Sequence, residues 1–138
     1  RLDAETEGLL LLTNDGELTN RLMHPSHEVA KTYRARVDGA ISKQAMRALG
    51  SGVDLDDGPI VCDSARVIQR LDDRSLVEVT LHSGRNRIVR RLFDAVGYPV
   101  LDLVRTSFGP ISLGNLKPGE VDDVRGAPLR SLYTTVGL

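Results

Sequence analysis

Several residue types and patterns that mark particular classes of protein are scarce or missing in this 138-residue chain. It contains one cysteine, no tryptophan, two phenylalanines and three tyrosines. The single cysteine, Cys62, excludes an internal disulfide and favours a reducing compartment. No apolar run approaches the roughly 20 residues of a membrane-spanning helix, and no signal-peptide pattern opens the chain. We therefore expect a cytoplasmic protein that does not enter a membrane.

A large net charge is also missing, because 18 basic and 19 acidic residues leave a formal net charge of −1. The chain as a whole therefore exerts no strong attraction on polyanions. The charges are unevenly distributed, since basic residues cluster between positions 85 and 91 while acidic residues predominate between 54 and 73. Most basic residues are arginines, whose planar guanidinium suits paired contacts to phosphate, although a GC-rich genome would give the same bias. Residues 85–91 are therefore a candidate anion-binding segment.

A chain of this length can form one domain that buries most of its apolar side chains. Hydrophobic periodicity and turn residues predict helices interspersed with strands. Two of the strands are antiparallel and joined by a short turn. This combination is typical of an α+β domain built on a mixed, mainly antiparallel sheet with flanking helices. After residue 100, Gly and Pro recur so often that we expect no long elements there. The predicted helices cover residues 17–24 and 41–49, and the predicted strands cover residues 29–37, 61–69 and 76–81.

The segment 83–99 predicts a third helix with one apolar side. Apolar residues recur at positions 88, 89, 92, 93 and 96, which is the spacing of one helical face, and a Gly and a Pro end the pattern. Arg90 and Arg91 fall on the borders of this apolar stripe, whereas Arg87 points away from it. Arg90 is therefore placed to be half buried. There its guanidinium either pairs with an anion or extends from the edge of the core to water.

The first sixteen residues, RLDAETEGLLLLTNDG, are the most distinctive stretch of the sequence. They place a carboxylate, Asp3, beside an arginine just before a very apolar run. The segment Leu9–Leu12 is too uniformly apolar for a half-exposed strand, so we expect a strand inside a sheet that is covered on both faces. Asn14, Asp15 and Gly16 then form a turn. The pattern indicates an active-site loop that leads into a buried strand.

Three blocks of the sequence together resemble one known family. They are the sixteen-residue string at 1–16, the KTYRA block at 31–35 and the GRNRIVRRLF block at 84–93. Their order and spacing resemble the signature of the ribosomal RNA pseudouridine synthases, over about residues 1–120. The resemblance is to the branch that includes small-subunit synthase A and large-subunit synthases B, E and F. Within this branch, the runs at 101–110 and 116–120 favour the type of large-subunit synthase B.

The resemblance implies an enzyme that isomerises a specific uridine of ribosomal RNA, in the large subunit (23S), to pseudouridine. It implies no cofactor and no metal ion, and the α+β fold of that family's catalytic domain with the site in a cleft across the sheet. It also implies that a strand and a small amino-terminal RNA-binding domain precede residues 1–138 in the whole protein. We therefore expect a monomer that binds ribosomal RNA, and weak or no activity from these 138 residues alone.

The same resemblance assigns roles to single residues. The family's catalytic aspartate corresponds to Asp3, and Arg90 would pair with it and keep it ionised. Tyr33 would stack on the uracil and could relay the proton that leaves C5. Asp3 could attack the base, attack the sugar or remove the 2′ proton, and the sequence does not choose among these. The residues expected to contact RNA are Arg1, Lys31, Arg85, Arg87 and Arg91.

Two positions depart from the family's pattern, since Ile88 stands where glutamine is usual and Arg87 where histidine is frequent. These departures concern RNA contacts more than the chemistry. Other functional classes have less support. The carboxylates Asp3, Glu5 and Glu7 lie too close in sequence to flank a glycosidic bond unaided, and the histidines lack the clustered spacing of a zinc site. The remaining alternative is a catalytically silent RNA-binding module.

Overall fold

A six-stranded mixed sheet forms the centre of the protein in a computed structural model that describes residues 1–138. Four helices and a separate two-stranded hairpin complete the fold, and none of the helices is both long and apolar enough to cross a membrane. The strands are β1 (Thr6–Gly8), β2 (Lys31–Asp38), β3 (Val53–Leu55), β4 (Gly58–Ile60), β5 (Ser64–Arg70), β6 (Arg74–Leu81), β7 (Val100–Phe108) and β8 (Ile111–Ser112). The helices are α1 (Gly16–Met23), α2 (Lys43–Ser51), α3 (Ile88–Ala95) and α4 (Gly126–Thr135).

The strand order across the main sheet is β1-β7-β2-β6-β5, and β8 pairs with β7. Only β1 and β7 run parallel, while the other neighbouring strands are antiparallel. The strands β3 and β4 form the separate hairpin, which the sequence did not predict. A mixed, mainly antiparallel sheet with flanking helices confirms the fold class predicted from the sequence.

One face of the sheet forms the main hydrophobic core together with α2 and α3. Successive side chains of a strand point to opposite faces, so Val37 of β2 and Val77 and Leu81 of β6 all enter this core. Leu49 of α2 and Phe93 of α3 pack in the same core and are fully buried. The apolar stripe predicted for the helix within segment 83–99 is therefore confirmed.

A second, smaller core lies where α1 and α4 meet the end of β7. Leu18 of α1, Leu132 of α4 and Phe108 of β7 are buried in it. The Tyr133 hydroxyl donates to the Asp15 carboxylate at 2.7 Å and links the two helices. Asp15 also caps α1, because its other carboxylate oxygen accepts the Leu18 N–H at 3.1 Å. The turn predicted at this point in the sequence thus serves as a helix N-cap.

Helices α1 and α2 and the main strands lie close to their predicted positions. Helix α1 begins and ends one residue before the predicted segment 17–24. Helix α2 begins after Ser42, whose hydroxyl accepts the Ala45 N–H at 3.0 Å. The predicted hairpin of two antiparallel strands is present as β5 and β6. These local elements confirm the periodicity from which they were predicted.

The buried strand predicted at Leu9–Leu12 is wrong. The strand at this point is β1, which ends at Gly8 and forms an edge of the sheet. Gly8 has a φ of 111°, so the chain changes direction there and leaves the sheet. Only Leu9 of the four leucines is buried, and Leu12 is 80% exposed. The apolar run borders the second core between α1 and α4 rather than the interior of the sheet.

The expectation of no long elements after residue 100 is also wrong. Strand β7 has 9 residues and helix α4 has 10, which makes them the longest strand and helix of the protein. Pro99 precedes β7, and Gly109 and Pro110 follow it, so these residues bound the strand without interrupting it. Pro128 lies in the first turn of α4, where a missing N–H costs little.

Candidate active site

A cleft of about 400 Å³ opens between the start of β2, the second half of β7 and the beginning of α3. It brings together segments that are far apart in the sequence. The roles predicted for its residues stay predictions, but their proximity is now visible. Of the eight residues predicted for the site, all but Arg91 line the cleft, namely Arg1, Asp3, Lys31, Tyr33, Arg85, Arg87 and Arg90.

Asp3 lies in a turn that leads into β1. The Thr6 N–H donates to the Asp3 carbonyl oxygen at 3.0 Å and closes this turn. Strand β1 then pairs with β7, with Thr6 opposite Leu103. The Asp3 side chain is half buried and takes part in no ion pair within the chain. The loop before β1 therefore presents an unpaired carboxylate to the cleft.

Tyr33 lies on β2 directly opposite Arg105 of β7. Burial raises the pKa of the Tyr33 hydroxyl, while the positive charge of Arg105 opposes this rise and the negative charge of Asp3 adds to it. The phenol therefore stays protonated at neutral pH. Its ring forms part of the cleft wall, where it can pack against a planar group.

Arg90 reaches the cleft from the first turn of α3, and its side chain is only 13% exposed. Its Nη2 donates to the Glu5 carbonyl oxygen at 2.8 Å. Its Nε is 3.9 Å from the Glu5 carboxylate and has no hydrogen-bond partner. The predicted ion pair between Arg90 and Asp3 is therefore absent. The turn between Asp3 and Thr6 places Glu5, and not Asp3, next to α3.

Arg87 immediately precedes α3 and has a left-handed backbone conformation, with a φ of 50°. Few residues other than glycine adopt this conformation, and strained positions of this kind cluster at functional sites. Its Nη1 lies 2.6 Å from the Glu5 carboxylate. This hydrogen bond is the main reason that the pKa of Glu5 is lowered, with a smaller contribution from the charge of Arg90. Arg87 thus lies on the exposed side, as predicted, and shares Glu5 with Arg90.

Arg85 and Arg91 are both held by the β3–β4 hairpin. The Asp57 carboxylate lies 3.0 Å from Nη1 of Arg85 and 2.9 Å from Nη1 of Arg91. Arg85 also donates to the carbonyl oxygens of Gly58 and Pro59. Arg91 does not line the cleft, and its guanidinium is bound by Asp57 and by a main-chain carbonyl oxygen. The structure therefore does not bring Arg91 into the site with the other predicted residues, and its bonds instead tie α3 to the hairpin.

Arg105 is a residue of the cleft that the sequence did not predict. It is only 3% exposed, and its Nε donates to the Leu9 carbonyl oxygen at 2.9 Å. Its Nη1 is 3.4 Å from the Arg1 carbonyl oxygen. Arg105 therefore contacts both ends of the segment that carries Asp3. Charged residues within a strand are usually solvated, so the pattern VLDLVRTSF gave only a weak signal for Arg105.

Two buried side-chain atoms in the protein have no hydrogen-bond partner, and both belong to residues that line this cleft. They are Oγ1 of Thr6 and Nε of Arg90. Buried polar atoms are paired in the large majority of cases, so an exception calls for an explanation. A molecule bound in the cleft could supply the missing acceptors.

The cleft combines a free carboxylate and a phenol with six cationic side chains. The cations attract a polyanion locally although the net charge of the protein is −1. An unpaired carboxylate can act as a nucleophile or as a general base. The arrangement therefore suits covalent or acid–base chemistry on a polyanionic substrate. The six cationic residues are Arg1, Lys31, Arg85, Arg87, Arg90 and Arg105.

The chain belongs to the RNA pseudouridylate synthase family, whose sequence profile matches residues 1–95. A Mycobacterium tuberculosis protein, named as an uncharacterized RNA pseudouridine synthase, is 56% identical over all 138 residues, which make up 54% of its own length. Ribosomal large subunit pseudouridine synthase B of Bacillus subtilis is 42% identical over 127 residues, which are 90% of this chain and 52% of that protein. The chain thus spans about half the length of the curated relatives it matches.

A crystal structure of a pseudouridylate synthase has the same fold. The two superpose with a TM-score of 0.82 at 31% sequence identity, over 95% of this chain and 56% of the other. This similarity includes nearly all of the strands and helices described above. The fold and the family therefore agree with each other.

Proposed function

We propose that this protein isomerises a specific uridine of RNA to pseudouridine. The observation that carries this proposal is the single cleft in which Asp3, Tyr33 and Arg90 meet, in a member of the RNA pseudouridylate synthase family. The three residues come from the turn before β1, from β2 and from α3. Such a convergence supplies a carboxylate, an aromatic surface and a cation to one bound nucleotide.

The reaction breaks the bond between C1′ and N1, turns the uracil and forms a bond between C1′ and C5. C5 loses a proton and N1 gains one, so substrate and product contain the same atoms and no oxidant is consumed. Asp3 is the reacting carboxylate, either as a nucleophile at the sugar or base or as the base that removes the 2′ proton. Its half-buried, unpaired position supports this role, because no cation within the chain occupies its lone pairs.

Arg90 positions Asp3 once RNA fills the cleft. Its Nε has no partner and its Nη2 contacts only a main-chain carbonyl oxygen. The guanidinium can therefore exchange these contacts for a carboxylate, which forms a stronger, charge-assisted hydrogen bond. Tyr33 stacks on the uracil, which must first be extruded from the folded RNA. Its hydroxyl relays the proton that leaves C5.

The substrate is the ribosomal RNA of the large subunit. The support for this choice is the similarity to proteins named ribosomal large subunit pseudouridine synthase B, from Bacillus subtilis and Salmonella typhi. An enzyme with this substrate works in the cytoplasm, where ribosomes assemble. Residues 1–138 supply the catalytic part, and cations at the rim of the cleft, such as Arg1, Lys31 and Arg87, contact the RNA backbone.

Substitution of Asp3→Asn tests the proposal. We expect the variant to keep the fold and the affinity for RNA but to form no pseudouridine, because an amide is neither a nucleophile nor a base at this position. Glu7→Gln is the matched control, since Glu7 is an exposed carboxylate on β1 that does not line the cleft. Large-subunit RNA transcripts incubated with each variant are sequenced after pseudouridine-specific chemical marking. Turnover by Asp3→Asn within about tenfold of the parent would contradict the assignment.

A catalytically silent RNA-binding module is the second candidate. The missing ion pair between Asp3 and Arg90 is the observation that favours it, because a synthase needs its carboxylate aligned. The same incubation separates the two functions. Binding of RNA by the whole protein without formation of any pseudouridine in that RNA supports the module, whereas a modified uridine that disappears with Asp3→Asn supports the enzyme.

A further inference from the structure

Two cationic side chains lie against the same aromatic ring at one end of the cleft. The Lys31 ammonium is 5.5 Å from the centre of the Phe108 ring, and the Arg105 guanidinium is 5.1 Å from it. Neither cation forms an ion pair with a carboxylate of the chain. A ring face stabilises a nearby cation, but it does not neutralise its charge. The two cations, Lys31 and Arg105, are called the cation pair.

A β-bulge brings the cation pair onto one face of the sheet. Lys31 is opposite Phe108, and Tyr33 is opposite Arg105, so the two residues are two positions apart on β2 but three positions apart on β7. In a regular strand, residues 105 and 108 would point to opposite faces. The extra residue in β7 lets the side chains of both Arg105 and Phe108 point into the cleft. Bulges often re-aim a side chain beside a functional site in this way.

The cation pair carries an electrostatic cost in the free protein. Arg105 is almost fully buried, and its guanidinium donates to main-chain carbonyl oxygens, which carry no full negative charge. Burial lowers the pKa of Lys31, and the neighbouring positive charge of Arg105 lowers it further. Buried charges are normally paired, since an unpaired one is expensive. Two like charges held together without a counter-charge therefore mark a place for an anion.

We propose that Lys31 and Arg105 form a phosphate subsite that holds the backbone phosphate flanking the target uridine. This inference rests on the proposed function and names the part of the RNA that the cation pair recognises. Tyr33 is the cross-strand neighbour of Arg105, so a nucleotide whose base stacks on Tyr33 has its phosphate within reach of both cations. A guanidinium and an ammonium together supply several charge-assisted hydrogen bonds to phosphate oxygens. The subsite would therefore set the depth at which the uridine enters.

Binding of mononucleotides to the 138-residue chain tests the subsite without a choice of RNA. Uridine, uridine 5′-monophosphate, uridine 3′-monophosphate and inorganic phosphate are titrated into ¹⁵N-labelled protein, and dissociation constants are read from backbone amide shifts. We expect one of the two monophosphates to bind about tenfold tighter than uridine, in line with charge-assisted hydrogen bonds to its phosphate. The tighter monophosphate identifies the side of the sugar on which the subsite lies.

Lys31→Met should reduce this advantage of the monophosphate over uridine to within about twofold. Lys43→Met is the matched control, because Lys43 lies on α2 outside the cleft, and it should leave the advantage unchanged. Arg105→Lys keeps a charge but loses the planar fork, so we expect an intermediate result. Arg105→Met is less useful, because loss of the bonds to Leu9 and Arg1 could unfold the segment that carries Asp3.

Three outcomes would overturn the subsite: equal affinities for uridine and both monophosphates, no phosphate-dependent shift in β2 or β7, or an advantage that survives Lys31→Met. The proposed function is tested separately, by pseudouridine formation on large-subunit RNA. If the advantage of the monophosphate depends on Lys31 but no pseudouridine forms, the phosphate subsite is supported and the proposed enzymatic function is rejected. If pseudouridine forms but neither monophosphate binds more tightly than uridine, the proposed function is supported and the subsite is rejected.

Discussion

At the scale of single residues, Gly8 shows why the segment carrying Asp3 needs a glycine. Its φ of 111° is unfavourable for other residues. A Cβ atom at this position would lie 2.2 Å from the carbonyl oxygen of Arg105 and 2.6 Å from its nitrogen. Both contacts are to backbone atoms of β7, which cannot rotate away. Gly8 therefore allows β1 to pair with β7 while the chain turns towards α1.

We predict that Gly8→Ala destabilises the protein by about 2–4 kcal/mol, from backbone strain and steric overlap together. The displaced β1 should also misplace Asp3 and reduce pseudouridine formation by about a hundredfold. Thermal unfolding and the single-turnover rate measure the two effects. Gly16→Ala is the control, since a Cβ there would meet no atom within 4 Å. Equal losses in the two variants would show that the close approach of β1 and β7 is unimportant.

Arg105 also belongs to this scale, because its location could not be derived from its neighbours in sequence. Asp3 and Tyr33 were named through the resemblance to a family, and both line the cleft as expected. Arg90 was placed by helical periodicity, which depends only on nearby residues. The orientation of Arg105 depends on the bulge between β2 and β7, which involves residues more than 70 positions apart. A long-range feature of this kind leaves no local pattern.

At the scale of helices and strands, Asp15 joins two helices with one carboxylate. It caps α1 and accepts the Tyr133 hydroxyl of α4, and this hydrogen bond is the main reason that its pKa lies below the usual value near 3.8. A lowered pKa in the folded state means that the ionised form stabilises the fold. The stabilisation is present above the pKa of the unfolded chain and is lost as the pH falls through the folded pKa.

We therefore predict that Asp15→Ala lowers the Tm by a few degrees at pH 7, through loss of the N-cap and of the link to α4. The difference from the parent should narrow as the pH falls below about 4, where the parent itself loses the ionised carboxylate. Calorimetry between pH 3 and pH 7 measures this difference. Tyr133→Phe removes the link but leaves the N-cap, so it should cause a smaller fall. A difference that is constant over this range would contradict the assigned role.

Arg87 and Arg90, at the beginning of α3, differ in exposure, so their substitutions should affect different steps. Arg90→Met removes the group that we propose positions Asp3, so we predict a loss of about two orders of magnitude or more in single-turnover rate at saturating RNA. Arg87→Ala removes a more exposed cation, with 44% of its side chain accessible. It should mainly weaken RNA binding and reduce the salt dependence by about one unit of slope. A larger loss of rate in Arg87→Ala than in Arg90→Met would contradict the roles proposed for these two arginines.

The elements that could be predicted from the sequence are those whose pattern is complete within a few turns. Helix α3 is an example, because its stripe faces one core from end to end. The segment Leu9–Leu12 misled the prediction, since an apolar run does not reveal which elements cover it. Here Leu9 packs in the second core with residues of α1 and α4, and α4 lies more than 100 residues away in the sequence. Strand β7 was missed because its bounding Gly and Pro residues were interpreted as interruptions.

At the scale of the whole molecule, charge is balanced overall but segregated. The net charge is −1, yet the cleft contains six cations and Asp3 is the only acidic residue that lines it. Arg85, one of these cations, is already held by the Asp57 carboxylate and by two main-chain carbonyl oxygens. Binding of RNA should therefore depend on a small number of phosphate contacts at one site.

We predict that the logarithm of the RNA affinity falls with the logarithm of salt concentration with a slope of about −2 to −4, as for roughly three to five phosphate contacts. Lys31→Gln should reduce the magnitude of this slope by about 0.7, whereas Lys43→Gln, outside the cleft, should not change it. Filter binding or fluorescence anisotropy at several salt concentrations gives these values. A slope near zero would contradict binding through the cleft.

The parallel pairing of β1 with β7 has a consequence for the order in which the protein is made. Thr6 leaves the ribosome long before its partner Leu103, which lies roughly a hundred residues later in the chain. Until then β1 has no neighbour in the sheet, and neither Arg105 nor Phe108 exists to complete the cleft. The nascent chain therefore cannot capture RNA with this cleft while β7 is still being synthesised beside ribosomal RNA. For the proposed function, RNA recognition by the cleft would begin only when β7, the last strand of the site, has been released.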